Sequence, residues 1–157
     1  MRAKSTPQGY HSLTPFLIVE DVRAALEFYR RVFDAEVKIQ RQAEGALLLA
    51  GIMIGDSHLM ISAHSNDPDG GVGGRSRQNG SGLRVYVADV DETFQRAKTA
   101  GAGVLEPPQE MFWGDKVGEI VDPFGFTWKI SQHLEDLESD EIERRMRAAR
   151  SSASASA

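Results

Sequence analysis

Cysteine is absent from all 157 residues, which excludes a disulfide scaffold, a thiolate zinc site, an iron–sulfur cluster and a catalytic thiol. An excess of basic charge is lacking too: 18 Lys and Arg stand against 23 Asp and Glu, giving a formal charge of −5 and a pI near 5.4. The basic residues are scattered, so the chain carries no electrostatic footprint for nucleic acid. Long hydrophobic runs are also missing. Ala46 to Ile54 is broken by Gly51 and is too short to span a bilayer, and the polar segment from Met1 to Tyr10 has no signal-peptide core. The expectation is a soluble cytoplasmic protein, without nucleic acid or membrane as partner. At this length a chain buries roughly 70% of its unfolded surface, so no metal or disulfide is needed merely to hold it together.

What the sequence does contain is a repeat. Phe16-Leu-Ile-Val-Glu-Asp21-Val22 runs into a helical pattern, and Arg84-Val-Tyr-Val-Ala-Asp89-Val90 does the same 68 residues later. Each strand-like run ends at an Asp that can cap the next helix, and Asp89 with Glu92 forms a capping box. Val22, Ala25, Leu26, Tyr29, Val32 and Phe33 recur at helical spacing, as do Val90, Phe94, Ala97 and Ala100. Strand signals follow at 37–42, 46–54 and 58–62, and again at 104–106, 117–121 and 126–131, with a long connection before the middle strand of the second set.

The pattern predicts an α+β fold of two β-α-β-β-β units at 11–64 and 82–132, with a C-terminal helix inside 133–150. Asp140 and Glu143 supply that helix with a capping box, and Arg144, Arg145, Arg147 and Arg150 favour its end. Residues 1–10 read as a disordered leader and 151–157 (SSASASA) as a disordered tail. Between the units, 65–81 is a glycine-rich flap with few large apolar groups.

Paired units with Asp-Val-x-x-Ala-x-x-Phe-Tyr near the start and Asp122-Pro-Phe-Gly-Phe-Thr-Trp128 near the end resemble the vicinal oxygen chelate superfamily of glyoxalases, bleomycin- and fosfomycin-resistance proteins and extradiol dioxygenases. Ile54-Gly-Asp-Ser57 and Phe112-Trp-Gly-Asp115 are similar to its PhnB-like branch. The resemblance spans about 11–145. It implies two units whose sheets form a curved, cupped mixed sheet around a cavity, paired as a homodimer, and in the enzymes a divalent metal held by side chains from the first and last strands of each unit. The corresponding positions here are Thr14, Ser62, Gly82 and Lys129, and their neighbours Leu13, Ile61, Leu83, Trp128 and Ile130 are no better donors. No metal or other cofactor is therefore expected. His11 and His58 read as surface or strand-end residues; His64 and His133 read alike, yet share the strand parity of the vacant positions and leave a displaced metal site open. Glu119 reads as a solvated carboxylate, with a lone general base as the other reading.

Strand alternation places Phe16, Ile18, Met60, Arg84, Tyr86 and Lys129 on the cavity side with Thr14, Ser62, Gly82 and Thr127. Leu17, Val19, Val85 and Val87 face the helices. Trp113 on the second unit's long connection either stacks on a ligand or packs across a dimer interface. The expected ligand-binding set is thus Phe16, Ile18, Met60, Arg84, Tyr86, Trp113 and Lys129, suited to a small aromatic or apolar anion bound without metal, as in bleomycin-resistance proteins. The alternative is a divalent-metal-dependent lyase, isomerase or dioxygenase of the same superfamily. No catalytic residue is assigned.

Overall fold

A computed structural model describes residues 5–64 and 80–155. Most of the expected flap, 65–79, lies outside the described residues, as do 1–4 and 156–157 of the expected leader and tail. The chain divides between Ser81 and Gly82 into two compact units.

In the first unit β1 (Phe16–Val19), α1 (Val22–Phe33), β2 (Glu36–Ala43), β3 (Ala46–Ile54) and β4 (Ser57–Ala63) follow one another. The strands form one mixed sheet in the order β1-β4-β3-β2, with β1 parallel to β4. The second unit repeats the plan with β5 (Leu83–Tyr86), α2 (Val90–Thr99), β6 (Gly103–Glu110), β7 (Asp115–Val121) and β8 (Thr127–His133), ordered β5-β8-β7-β6 with β5 parallel to β8. A third helix, α3 (Ser139–Ala155), ends it. The architecture is α+β, built from repeated β-α-β-β-β modules.

The helices start where the aspartates stand. Asp21 Oδ1 accepts from the Ala24 amide and Asp89 Oδ1 from the Glu92 amide, each at 3.0 Å. The box at Asp89 is half made, because Glu92 turns its carboxylate to Arg96 instead. α1 buries the six predicted apolar residues and also Phe28, and it packs on β3 and β4. Fully burying side chains such as Tyr29, Ile52 and Ile61 is worth about 1.5–3 kcal/mol each. α2 packs on β6, β7 and β8, and Gly118 makes room for it: a Cβ there would lie 2.7 Å from the Phe94 ring. Leu17, Val19 and Val85 are buried on the helix side, while Phe16, Arg84 and Tyr86 are exposed on the other, as alternation predicts.

Asp122 explains the Asp-Pro-Phe-Gly-x-x-Trp motif. Its buried carboxylate accepts from the Phe124 and Phe126 amides at 3.0 and 2.9 Å and from Trp128 Nε1 at 2.9 Å, fixing the β7–β8 turn.

Several boundaries differ from the sequence reading. The long connection expected after Glu106 is largely strand: β6 runs on through Pro107 and Pro108, with register shifts around Glu106. It is an edge strand, where proline costs no ladder bond. α3 begins with the Ile142 amide bonded to the Glu138 carbonyl, ahead of the expected Asp140 box, and continues to Ala155 through part of the expected disordered tail. Alanine is the strongest helix former, so the alternating Ser/Ala run extends an established helix. Within the expected leader, Tyr10 is ordered against His58.

Register also corrects one correspondence. Phe16 pairs with Met60 as Arg84 pairs with Lys129, and Ile18 with Ser62 as Tyr86 with Ser131. Lys129 therefore corresponds to Met60, and Ser62 to Ser131. The two hairpins differ in loop length, Gly55-Asp56 against Asp122 to Phe126, so counting from the turn slips by two.

Candidate functional site

The richest chemistry lies on the helix-free face of the second sheet. Arg84 and Tyr86 alternate along β5, and across β8 they meet Lys129 and Ser131. On β7 the neighbours are Glu119 opposite Lys129, Val117 opposite Ser131, and Asp115 opposite His133. Each row follows from strand alternation and register alone.

Asp115 organises this face. It is 3% exposed and accepts hydrogen bonds from Tyr86 Oη at 3.2 Å and Trp113 Nε1 at 3.0 Å, with His133 Nδ1 at 2.7 Å. The other imidazole nitrogen, Nε2, lies 2.8 Å from Asp136. Burial pushes the Asp115 pKa up, but the hydrogen bonds from His133, Trp113 and Tyr86 together outweigh it and hold the carboxyl below its ordinary range. His133 is raised above its ordinary value, first by its bond to Asp115 and then by that to Asp136.

Arg84 approaches the same carboxylate only to 3.9 Å, outside hydrogen-bond range, and its guanidinium stands 6.0 Å from the Trp113 ring centroid. Its donors remain open to a ligand. Lys129 beside it is exposed and forms no ion pair among the described residues. Two cations side by side repel, and Asp115 at 3.9 Å from Arg84 together with Glu119 opposite Lys129 offsets part of that repulsion. Tyr86, 60% exposed, adds an aromatic surface next to them. Ser131 is fully buried on the same face, and its Oγ has no hydrogen-bond partner.

The loop carrying Trp113 is locked. Gly114 has φ +95°, and a Cβ there would lie 2.6 Å from the Glu135 carbonyl oxygen. The Gly114 carbonyl accepts the amides of Leu134 and Glu135, which ties the start of β7 to the end of β8 and aligns Asp115 with His133.

Of the predicted residues, Arg84, Tyr86, Trp113 and Lys129 thus share one face of the second unit, three of them in contact with or near Asp115. Phe16, Ile18 and Met60 share the helix-free face of the first unit, with Phe16 and Met60 in register and Phe16 53% exposed. Asp115, Ser131 and the role of His133 were not singled out from sequence. The signal was present in Phe-Trp-Gly-Asp, because starting β7 two residues earlier puts Asp115 in line with Val117 and Glu119. A cleft of about 320 Å³ beside the start of α1, lined by Glu20, Asp21, Arg23 and Leu47, includes none of the predicted set.

The residues at the expected metal positions do not fit a divalent ion in either register. Thr14 offers a neutral hydroxyl and Gly82 nothing, while the last strands offer Met60 with Lys129 or Ser62 with Ser131, none of them a carboxylate or imidazole. His133 has each nitrogen against a separate carboxylate, and His64 lies exposed. Among the described residues no group of three or more His, Asp or Glu is placed to hold a metal ion.

A family model described as the Glyoxalase/Bleomycin resistance protein/Dioxygenase superfamily matches residues 10–130. The chain belongs to this superfamily. Within it, the chain is 34% identical over 143 residues to the uncharacterised protein Mb0911c of Mycobacterium bovis, covering 86% of this chain and 91% of that one. Among solved structures it is similar to TioX from Micromonospora sp. ML1, with 25% identity, TM-score 0.61, and coverage of 82% of this chain and 100% of TioX. The PhnB protein from Bacillus cereus, at 18% identity and TM-score 0.61 over 78% and 99% of the two chains, shares the fold. So does the fosfomycin resistance protein FosX from Listeria monocytogenes, at 15% identity and TM-score 0.59 over 84% and 97%. In superfamily terms, the two β-α-β-β-β units here are the family's paired modules.

Proposed function

We propose that this superfamily member binds a small aromatic or apolar anion on the helix-free face of its second sheet without a metal. The observation that carries the reading is the juxtaposition of Arg84 and Lys129 in register, beside Tyr86 and Trp113, with Asp115 fixing the aromatic pair. The anion takes the open donors of Arg84 through charge-assisted hydrogen bonds, and its ring lies against Tyr86 or Trp113. Phe16, Ile18 and Met60, on the helix-free face of the first unit, serve in this reading as apolar contacts of that unit alone. Tryptophan fluorescence titrated with a panel of aromatic carboxylates and polyaromatic antibiotics tests it directly, since Trp113 is part of the site.

The competing reading is a metal-dependent lyase, isomerase or dioxygenase. Metal analysis of chelator-free protein separates the two: a stoichiometric divalent ion contradicts the metal-free reading. We further propose a homodimer, supported by Leu13, Phe16 and Tyr86, which are exposed by 86%, 53% and 60%. A cytoplasmic location is part of the same proposal; among the described residues no helix is long and apolar enough to cross a membrane.

A further inference from the structure

The first unit carries a second aromatic arrangement that the site above does not use. Tyr10 stands ahead of β1 in the chain, turns through a bond from its own amide to the Pro7 carbonyl, and lays its ring on the helix-free face of the sheet. There it stacks on His58 with ring centroids 4.0 Å apart and planes 10° from parallel. Beneath it is Gly51, whose missing Cβ would lie 3.2 Å from Met60 Sδ, 3.4 Å from Ile39 Cβ and 3.6 Å from Tyr10 Oη. The floor of this slot is thus kept low by a glycine.

The ring is held by its face rather than by its hydroxyl. Tyr10 Oη reaches only the Met60 sulfur, a weak acceptor, at 3.9 Å. The residues preceding it, Pro7 to Gly9, are exposed. His58 Nδ1 is buried without a hydrogen-bond partner, an unmet polar atom at the edge of the stack.

We infer that Tyr10 occupies a slot for a planar aromatic group, formed by His58, Gly51, Met60 and Ile39, which a planar aromatic ligand fills when Tyr10 swings out. Parallel stacking selects a flat ring, and the missing side chain at Gly51 lets Met60, Ile39 and the ring of Tyr10 close over the sheet. The slot lies wholly in the first unit and stands apart from the Arg84 reading.

The test is NMR of the His58 ring protons during titration with 2-naphthol, in wild type and in Tyr10→Ala. A stacked ring shifts those protons upfield, so Tyr10→Ala moves them toward free-histidine positions and 2-naphthol restores the shift. Affinity in the variant is expected to exceed wild type by roughly 2- to 10-fold, the range of one aromatic pairing. In wild type the probe releases Tyr10, whose ring resonances move to free-tyrosine values. Unmoved His58 protons in folded Tyr10→Ala, or equal affinity in the two proteins, overturns the inference. If Tyr10→Ala does not fold, the wild-type titration decides: Tyr10 resonances unmoved at millimolar 2-naphthol overturn it, and their release supports it.

Discussion

Asp115 is the residue on which the second unit's face depends. Replacing it with Asn keeps the shape but removes the charge that three donors share. Hydrogen bonds to charged groups contribute about 1.5–3 kcal/mol each, so Asp115→Asn should lower stability in urea unfolding by an amount of that order. It should also return the His133 pKa toward its ordinary value, visible in an NMR titration. The pH dependence has two limbs. His133 is raised on folding, so its contribution is complete below pH about 6.5 and is lost as pH rises through the elevated value. Asp115 is lowered, so its contribution is complete above about pH 4 and is lost as pH falls through the depressed value. Stability should therefore peak between these limits, and Asp115→Asn should flatten both limbs. Arg84, Tyr86 and Lys129 were legible from strand alternation, because a two-residue period needs no tertiary information. Asp115 was not, because its importance comes from His133, which lies 18 positions away and is brought opposite only by the register of β7 and β8.

At the scale of elements, the turn at 111–114 is tightly constrained. Gly114→Ala introduces a side chain at φ +95° and against the Glu135 carbonyl oxygen. Backbone strain of this kind costs about 1–3 kcal/mol, and relieving the clash breaks the amide bonds that align Asp115 with His133. The expected outcome is a lower unfolding midpoint together with loss of the raised His133 pKa. An unchanged midpoint and titration would show that the turn is not a clasp. Helix and strand positions were readable because capping aspartates, apolar periodicity and turn residues all agree locally. The reading failed where local signals mislead: Pro107 and Pro108 look like a break but sit on an edge strand, and the Ser/Ala run looks like a tail but continues α3.

For the whole molecule, the two modules have kept one fold and taken different chemistry at matching positions. Phe16, Ile18 and Met60 in the first correspond to Arg84, Tyr86 and Lys129 in the second, apolar against cationic and aromatic. Repetition was legible in the sequence because both modules retain the strand–Asp–helix start. Size-exclusion chromatography with light scattering should give about twice the chain mass, and a strict monomer at micromolar concentration would contradict the proposed dimer. The central claim is anion binding through Arg84 without metal. Its most direct measurement is calorimetric titration of chelator-treated wild type and Arg84→Ala with the tightest aromatic acid found by tryptophan fluorescence. The account predicts that wild type binds without added metal and that Arg84→Ala loses about 1.5–3 kcal/mol of affinity, the size of a hydrogen bond to a charged group. Binding that requires a divalent ion, or that is equal in the two proteins, would contradict it.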